Sequence, residues 1–264
     1  MPNAELGAAT IHYQSAGEGD PVVLVPGFVT TLRLFDGQME ALSRRHRAVR
    51  YDLRGQGESS APADGYAVSD HAADLGALIE HLNLSRAHLV GASLGGAVAV
   101  HFAIRHPEHV RSLTLAGAVV DGFPNWPADY LERMRRARKV GRTEGPEAAM
   151  RDWLTHPFFG GARDLARLSS SAVRASASVW TGAARAPPEG PSDWQRLEEL
   201  AMPTLVTVGD REVPPVLEAA QALRTRVPGA AFQVIQGAGH LPAWDQPEDF
   251  TRVLLDFLAR VARR

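Results

Sequence analysis

The stretch HLVGASLGGAVAVHFA, residues 88–103, decides the fold of this chain. Its first part is a short apolar run, which is typical of a strand buried on both faces, and its second part has the spacing of a buried helix. Between them lies Gly-Ala-Ser-Leu-Gly, residues 91–95, with Ser93 at its centre. Since its neighbours are small, the pattern predicts a tight strand–turn–helix unit that presents the Ser93 hydroxyl.

Short apolar runs alternate with helical patterns along most of the chain. The predicted strands lie in 21–27, 47–57, 87–93, 110–117, 203–210 and 231–240, and the predicted helices are 33–44, 69–82, 94–105, 215–226 and 247–262. Alternation of this kind predicts an α/β fold, in which a parallel sheet carries helices on both faces.

Residues 121–199 interrupt this alternation. They contain no convincing pattern of a buried strand, and they hold four of the five tryptophans. We expect a mostly helical cap here, inserted into a core formed by residues 1–120 and 200–264. The aromatic side chains of the cap either form a small core of their own or face a pocket above the sheet.

Composition excludes several classes of protein. The 264 residues carry a formal charge of −2, which disfavours binding to nucleic acid or to a membrane surface. The absence of cysteine excludes disulfides, thiolate metal sites and cysteine nucleophiles. No apolar run is long enough to span a bilayer, and the N-terminal residues do not resemble a signal peptide. We therefore expect a cytoplasmic protein.

A serine presented at such a turn is suited to nucleophilic chemistry, provided that a base activates it. The helix after Ser93 directs its free N–H groups towards the turn, so the Leu94 N–H could bind a developing oxyanion. Among the ten histidines, His240 lies in a glycine-flanked loop after the last predicted strand. Because parallel strands bring such loops to one edge of the sheet, we predict Ser93 as nucleophile and His240 as base.

The base needs a carboxylate that fixes its tautomer and stabilises its protonated form. Asp210 directly follows the preceding predicted strand and is the favoured candidate. Glu212, two residues further into the same loop, and Asp121, after the strand at 110–117, are the alternatives.

Several stretches resemble the serine hydrolases of the α/β-hydrolase fold: VLVPGF, YDLRGQGES, VGASLGGAVA, HPEHVRSLTL, VGDREVPP and GAGHLPAWDQPEDF. The resemblance covers nearly all of the chain outside 121–199, and it implies a mostly parallel sheet of the eight-stranded type with a helical cap. Within this fold, TTLRLFDGQMEAL and YDLRGQGES are most similar to the branch of the 3-oxoadipate enol-lactonases. The chain order Ser, Asp, His agrees with the order in this fold.

The resemblance implies a role for each matching residue. Ser93, Asp210 and His240 would form the catalytic triad, and the N–H groups of Phe28 and Leu94 would form the oxyanion hole. Two positions depart from the usual pattern: Pro26 replaces the histidine of a His-Gly pair, and Gln56 replaces the histidine of Arg-Gly-His-Gly.

These residues predict a hydrolase without cofactor or metal that cleaves a carboxylic ester or lactone through an acyl-enzyme. Carbon–carbon bond hydrolysis and acyl transfer or cyclisation on the same triad are the alternatives, and a non-catalytic ligand-binding protein is the rival from another class. The expected partner is a small molecule with a hydrophobic part. The candidate apolar contacts are Phe28, Trp126, Phe158, Phe159, Trp180 and Leu241.

Overall fold

The computed structural model describes residues 2–159, 177–181 and 190–263. Eight strands form one sheet: β1 (Asn3–Glu5), β2 (Thr10–Ala16), β3 (Pro21–Val25), β4 (Arg47–Tyr51), β5 (Ala87–Ala92), β6 (Val110–Ala116), β7 (Thr204–Gly209) and β8 (Ala231–Ile235). Their order is β1-β2-β4-β3-β5-β6-β7-β8. The contacts of β2 with β1 and β4 are antiparallel, and the remaining contacts are parallel. The mostly parallel eight-stranded sheet predicted from the sequence is thus confirmed.

The helices of the described residues are α1 (Asp36–Ser43), α2 (Val68–His81), α3 (Leu94–Arg105), α4 (Ala128–Thr143), α5 (Pro146–Trp153), α6 (Ala177–Thr181), α7 (Pro214–Arg226), α8 (Pro242–Asp245) and α9 (Pro247–Val261). Short 3-10 helices lie at Leu32–Phe35, Pro107–His109, Pro157–Phe159 and Asp193–Glu199. No helix in these described ranges is long and apolar enough to cross a bilayer.

Helices cover both faces of the sheet, which explains why the central strands read as continuous apolar runs. One core cluster joins α2, α3 and α7 to one face, and a second cluster joins α1 and α9 to the other. Every residue of β5 is buried. The strand that carries the serine turn is therefore held rigidly between two hydrophobic layers.

The N-terminal pair β1 and β2 was not among the predicted strands. Residues of β2 are mostly half-buried, and the strand carries polar side chains such as His12 and Gln14. A strand near the edge of a sheet needs no long apolar run, so this pair gave no clear signal in the sequence.

The predicted cap lies in the chain between β6 and β7. Where the structure describes it, its secondary structure is helical: α4 packs against α5, and the 3-10 turn Pro157–Phe159 follows α5. Parts of the predicted insertion, residues 160–176 and 182–189, lie outside the described residues. Residues of α4 and of the 3-10 turn Pro157–Phe159 line a cavity together with Ser93 and His240, at the carboxyl edge of the sheet.

Candidate active site

Ser93 occupies a strained turn between β5 and α3. Its backbone has φ 51° and ψ −117°, a conformation that residues other than glycine rarely adopt. A Cβ atom at Gly91 would overlap the carbonyl oxygen of Gly95, and one at Gly95 would overlap the carbonyl oxygens of the β3 loop. These two glycines therefore allow the close approach that exposes the Ser93 hydroxyl at the sheet edge.

His240 meets Ser93 at this edge. Its Nε2 lies 2.8 Å from Ser93 Oγ, and the histidine is only 3% exposed. The two residues are 147 positions apart in the chain, so the parallel sheet brings them together. The predicted contact between nucleophile and base is present.

The carboxylate beside His240 belongs to Glu212 and not to Asp210, which corrects the favoured prediction from the sequence. Glu212 Oε2 and Oε1 lie 3.0 and 3.2 Å from His240 Nδ1, and the Glu212 side chain is fully buried. Asp210 is exposed, and its backbone N–H extends the pairing of β7 by donating to the Ile235 carbonyl at 3.2 Å.

The difference between the two acids follows from the turn after β7. Asp210 is the first residue of the turn, whereas Glu212 lies at its end, where its N–H donates to the Gly209 carbonyl at 3.4 Å. The longer side chain of Glu212 then reaches the ring nitrogen. Asp121, the third candidate, does not contact His240; partial desolvation of its carboxyl together with the nearby Asp193 charge raises its pKa.

The hydrogen bonds define the protonation pattern that this arrangement favours. A carboxylate at Nδ1 accepts the Nδ1–H of a neutral imidazole, so Nε2 is free to accept the Ser93 hydroxyl proton. Such a chain of hydrogen bonds can activate a serine for attack on a carbonyl.

The loop after β3 lies against the serine turn. A Cβ atom at Gly27 would be 3.2 Å from the Ser93 Cβ. The N–H of Leu94, at the first position of α3, has no acceptor within the helix. The loop that carries Phe28 and the turn that precedes Leu94 are thus adjacent. The oxyanion hole formed by the N–H groups of these two residues remains a prediction.

Gln56 has a clear structural role at the position where related sequences have histidine. Its Oε1 accepts the Val29 N–H, and its Nε2 donates to the Gly27 carbonyl at 3.3 Å. Val29 itself has φ 50°, and Gln56 is 3% exposed. The amide therefore braces the residues on both sides of Phe28 and holds the strained loop in place.

A cavity of about 180 Å³ opens beside Ser93 and His240. Four of the six predicted apolar contacts line it, namely Phe28, Phe158, Phe159 and Leu241. The other two predicted contacts, Trp180 and Trp126, do not line this cavity. Trp180 lies behind Phe28 with ring centroids 5.2 Å apart, and Trp126 stacks on Tyr130 at 4.4 Å outside the cavity.

Cap and core residues that were not predicted also line the cavity. From the cap come Tyr130, Met134, Arg138, Trp153 and Val179, and from the core come Thr30, Arg54, Tyr66, His71 and Val119. The spacing 130, 134, 138 places three of them on one face of α4, which was a usable helical signal. No signal in the sequence indicated that this face covers Ser93.

Two buried core residues give the cavity a polar region. Arg54 forms a bidentate ion pair with Asp74, with both N–O distances 2.7 Å. Burial and the Arg54 charge lower the pKa of His71 to about 4, so its imidazole is neutral at pH 7. The Arg54 charge is compensated, and the cavity remains largely apolar.

An open groove of about 390 Å³ continues from the cavity. It shares Leu94, Val119, Tyr130 and Met134 with the cavity and is lined further by Trp126 and Leu131. The groove therefore adjoins the cavity along the side chains that line both.

The described residues contain no group of three or more His, Cys, Asp or Glu side chains that could hold a metal ion. The polar side chains around Ser93 include His240, which accepts its hydrogen bond, and Arg54 and His71, which line the same cavity.

A serine in a strained turn on a mostly parallel sheet, hydrogen-bonded to a buried histidine that contacts a buried carboxylate, defines the class of α/β hydrolases. Residues 20–247 match the family described as the alpha/beta hydrolase fold, and the chain belongs to that family.

Relatives of known structure and name cover nearly the whole chain. An enol-lactonase from Burkholderia xenovorans is 25% identical, covers 98% of this chain and 100% of its own, and superposes with a TM-score of 0.82. A thermophilic esterase from Thermogutta terrifontis is 28% identical with a TM-score of 0.77, covering 96% and 94%. A 2-hydroxy-6-oxononadienedioate/2-hydroxy-6-oxononatrienedioate hydrolase of Escherichia coli is 26% identical over 272 residues, covering 95% and 91%.

Proposed function

We propose that this protein hydrolyses a carboxylic ester or lactone through an acyl-enzyme on Ser93. The observation that carries the proposal is the continuous chain of hydrogen bonds from Ser93 Oγ through both ring nitrogens of His240 to Glu212. These hydrogen bonds replace Asp210 by Glu212 in the triad of Ser93, Asp210 and His240 that the sequence favoured.

In the first half of the reaction, His240 Nε2 removes the hydroxyl proton as Ser93 Oγ attacks the substrate carbonyl carbon. The carbonyl π electrons move to the oxygen, which receives hydrogen bonds from the Phe28 and Leu94 N–H groups. Each donor of this kind lowers the barrier by about 3 kcal/mol. The intermediate then collapses, and the leaving alcohol takes the proton from His240.

In the second half, His240 removes a proton from water, and the resulting hydroxide attacks the acyl carbon. Collapse of this intermediate breaks the bond to Ser93 Oγ, which takes the proton back from His240. Glu212 stabilises the imidazolium in both halves.

The cavity supports a small substrate with a hydrophobic part. Aromatic side chains of the cap and the oxyanion loop form much of its wall, and such surfaces favour apolar acyl groups. The printed names of two similar structures, an enol-lactonase and an esterase, agree with ester or lactone chemistry.

Carbon–carbon bond hydrolysis is the second candidate. It is favoured by the similarity to the Escherichia coli hydrolase, whose name indicates an oxo-dienedioate substrate. The same serine and histidine could act on the ketone of such a substrate.

Two measurements test the proposal. A fluorophosphonate probe is expected to label Ser93, and Ser93→Ala is expected to abolish the labelling. Turnover is then compared between nitrophenyl esters of increasing chain length, enol-lactones and a 2-hydroxy-6-oxo-dienoate. Ester or lactone turnover that disappears in Ser93→Ala supports the proposal, whereas labelling with turnover of the dienoate alone favours the second candidate. No labelling and no turnover would refute both.

A further inference from the structure

A cap residue lies flat against the proposed base. The ring of Phe158, from the 3-10 turn Pro157–Phe159, stacks on the His240 imidazole with centroids 4.2 Å apart and planes inclined by 15°. We propose that Phe158 is a positioning residue that acts through His240, so that the cap takes part in setting the geometry of proton transfer. This inference rests on the function proposed above.

The hydrogen bonds of His240 leave one motion that Phe158 can restrain. Ser93 at Nε2 and Glu212 at Nδ1 hold the imidazole from two opposite sides, within its plane. They restrain the tilt of the ring about the line between these contacts much less. A flat aromatic ring at 4.2 Å blocks that tilt, and it keeps Nε2 aimed at the Ser93 hydroxyl.

Phe158 is itself well fixed. It is 5% exposed, and its backbone N–H donates to Nδ1 of His156 at 3.2 Å. The His156 ring lies 4.2 Å from the Phe158 ring, and the Tyr130 ring lies 5.3 Å from it. The stacking partner of His240 is therefore part of a packed aromatic cluster and not a free side chain.

The same cluster reaches the loop of the predicted oxyanion hole. Trp153 packs edge to face against Phe158 at 6.2 Å and against Phe28 at 5.7 Å. One cap residue thus contacts both the Phe28 loop and the ring that stacks on the base. Displacement of this part of the cap would disturb both at once.

The stack also has an electrostatic consequence. His240 gains a positive charge during attack, and the face of an aromatic ring attracts a cation. Replacing the ring by an aliphatic side chain removes this attraction and relaxes the tilt restraint. We expect kcat to fall about 3- to 30-fold, because losing an aromatic contact of this kind raises the reaction barrier by an amount that corresponds to this factor.

Phe159 offers a matched control for the experiment. It lies in the same turn, is similarly buried at 7% and lines the same cavity. Its ring contact is with Trp153 at 6.4 Å. Phe158→Leu and Phe159→Leu thus remove equal volumes of cavity wall, but only the first removes the stack on His240.

The two variants are compared by kcat, KM and the pH profile of kcat/KM with nitrophenyl acetate, and by the rate of fluorophosphonate labelling. Phe158→Leu should lower kcat and the labelling rate 3- to 30-fold with KM changed less than twofold, and move the acidic limb of the profile to lower pH. Phe159→Leu, which removes the same volume of cavity wall without the stack, should leave the acidic limb of the profile in its wild-type position. Phe158→Tyr, which retains the ring, should recover most of the loss.

The inference is wrong if Phe158→Leu keeps the wild-type kcat, labelling rate and pH profile and changes only KM, since Phe158 would then be cavity wall alone. If Phe158→Leu does not fold, Phe158→Tyr and Phe158→Met provide the comparison between an aromatic and an aliphatic side chain. Failure of the wild-type protein to react with the probe or with esters would instead refute the proposed function.

Discussion

Replacing Glu212 by Gln preserves the shape of the side chain but removes its charge. In the structure, Glu212 Oε1 accepts the Val213 N–H at 2.8 Å, while Oε2 lies 3.0 Å from His240 Nδ1. A glutamine can place its oxygen at only one of these positions. With the oxygen at Val213, the NH₂ group faces Nδ1 and favours the imidazole tautomer that carries its proton on Nε2, which cannot act as a base.

The opposite orientation of the amide is also unfavourable. It would place the NH₂ group against the Val213 N–H in a fully buried site, at a cost of about 1–3 kcal/mol. Either orientation also removes the negative charge that stabilises the imidazolium. Substitutions of this type lower kcat by about 10,000-fold. We therefore expect Glu212→Gln to lower kcat about 1,000- to 10,000-fold, or about 4–5.5 kcal/mol of barrier.

The assay is steady-state hydrolysis of a nitrophenyl ester, with Ser93→Ala as the background. Asp210→Asn is the matched control, because Asp210 lies in the same loop but is exposed. It should retain kcat within twofold. If Glu212→Gln kept more than a tenth of the wild-type kcat while Asp210→Asn or Asp121→Asn lost activity, the assignment of Glu212 would be refuted.

Two further predictions concern Gln56, beside the Phe28 loop, and the buried carboxylate Asp193. Gln56→Ala removes both hydrogen bonds that brace the loop around Phe28. We therefore expect kcat for the same ester to fall at least tenfold. An unchanged kcat would show that the loop keeps its shape without the amide. Burial of Asp193 favours its neutral form, but hydrogen bonds from His101 and Arg105 outweigh burial and lower its pKa. Asp193→Asn should therefore lower the free energy of unfolding at pH 7, and this difference from wild type should shrink as the pH falls below 3.8. Urea titrations at several pH values measure the free energy of unfolding of both proteins. A difference that is independent of pH would show that the Asp193 carboxylate is not stabilised by its charge in the folded state.

The local parts of the site were predictable because they depend on neighbours in the chain. The run 88–103 predicted the strand, the turn and the helix with nearly their observed bounds, since a tight turn of this kind requires small residues around Ser93. His240 was predictable from its place after the last parallel strand. In both cases the physical requirement, a tight turn or a loop at the end of a parallel strand, is visible directly in the local sequence.

The choice between Asp210 and Glu212 depended on the tertiary structure. Both acids lie in one loop, and only the direction of the turn after β7 determines which carboxylate reaches His240. Sequence position favoured the residue nearest the strand. Side-chain length and backbone direction favoured the other.

The sequence by itself determined the α/β alternation, the strained turn at Ser93 and the histidine that meets it, because these features follow from local spacing and from the parallel arrangement of strands. Only the tertiary structure decided which acid supports His240 and which aromatic residues face the cavity. Phe158 and Trp180 are alike as buried aromatic residues of the predicted cap, yet one stacks on His240 and the other lies behind Phe28. That difference arises from how the cap packs on the core, which involves contacts between residues far apart in the chain.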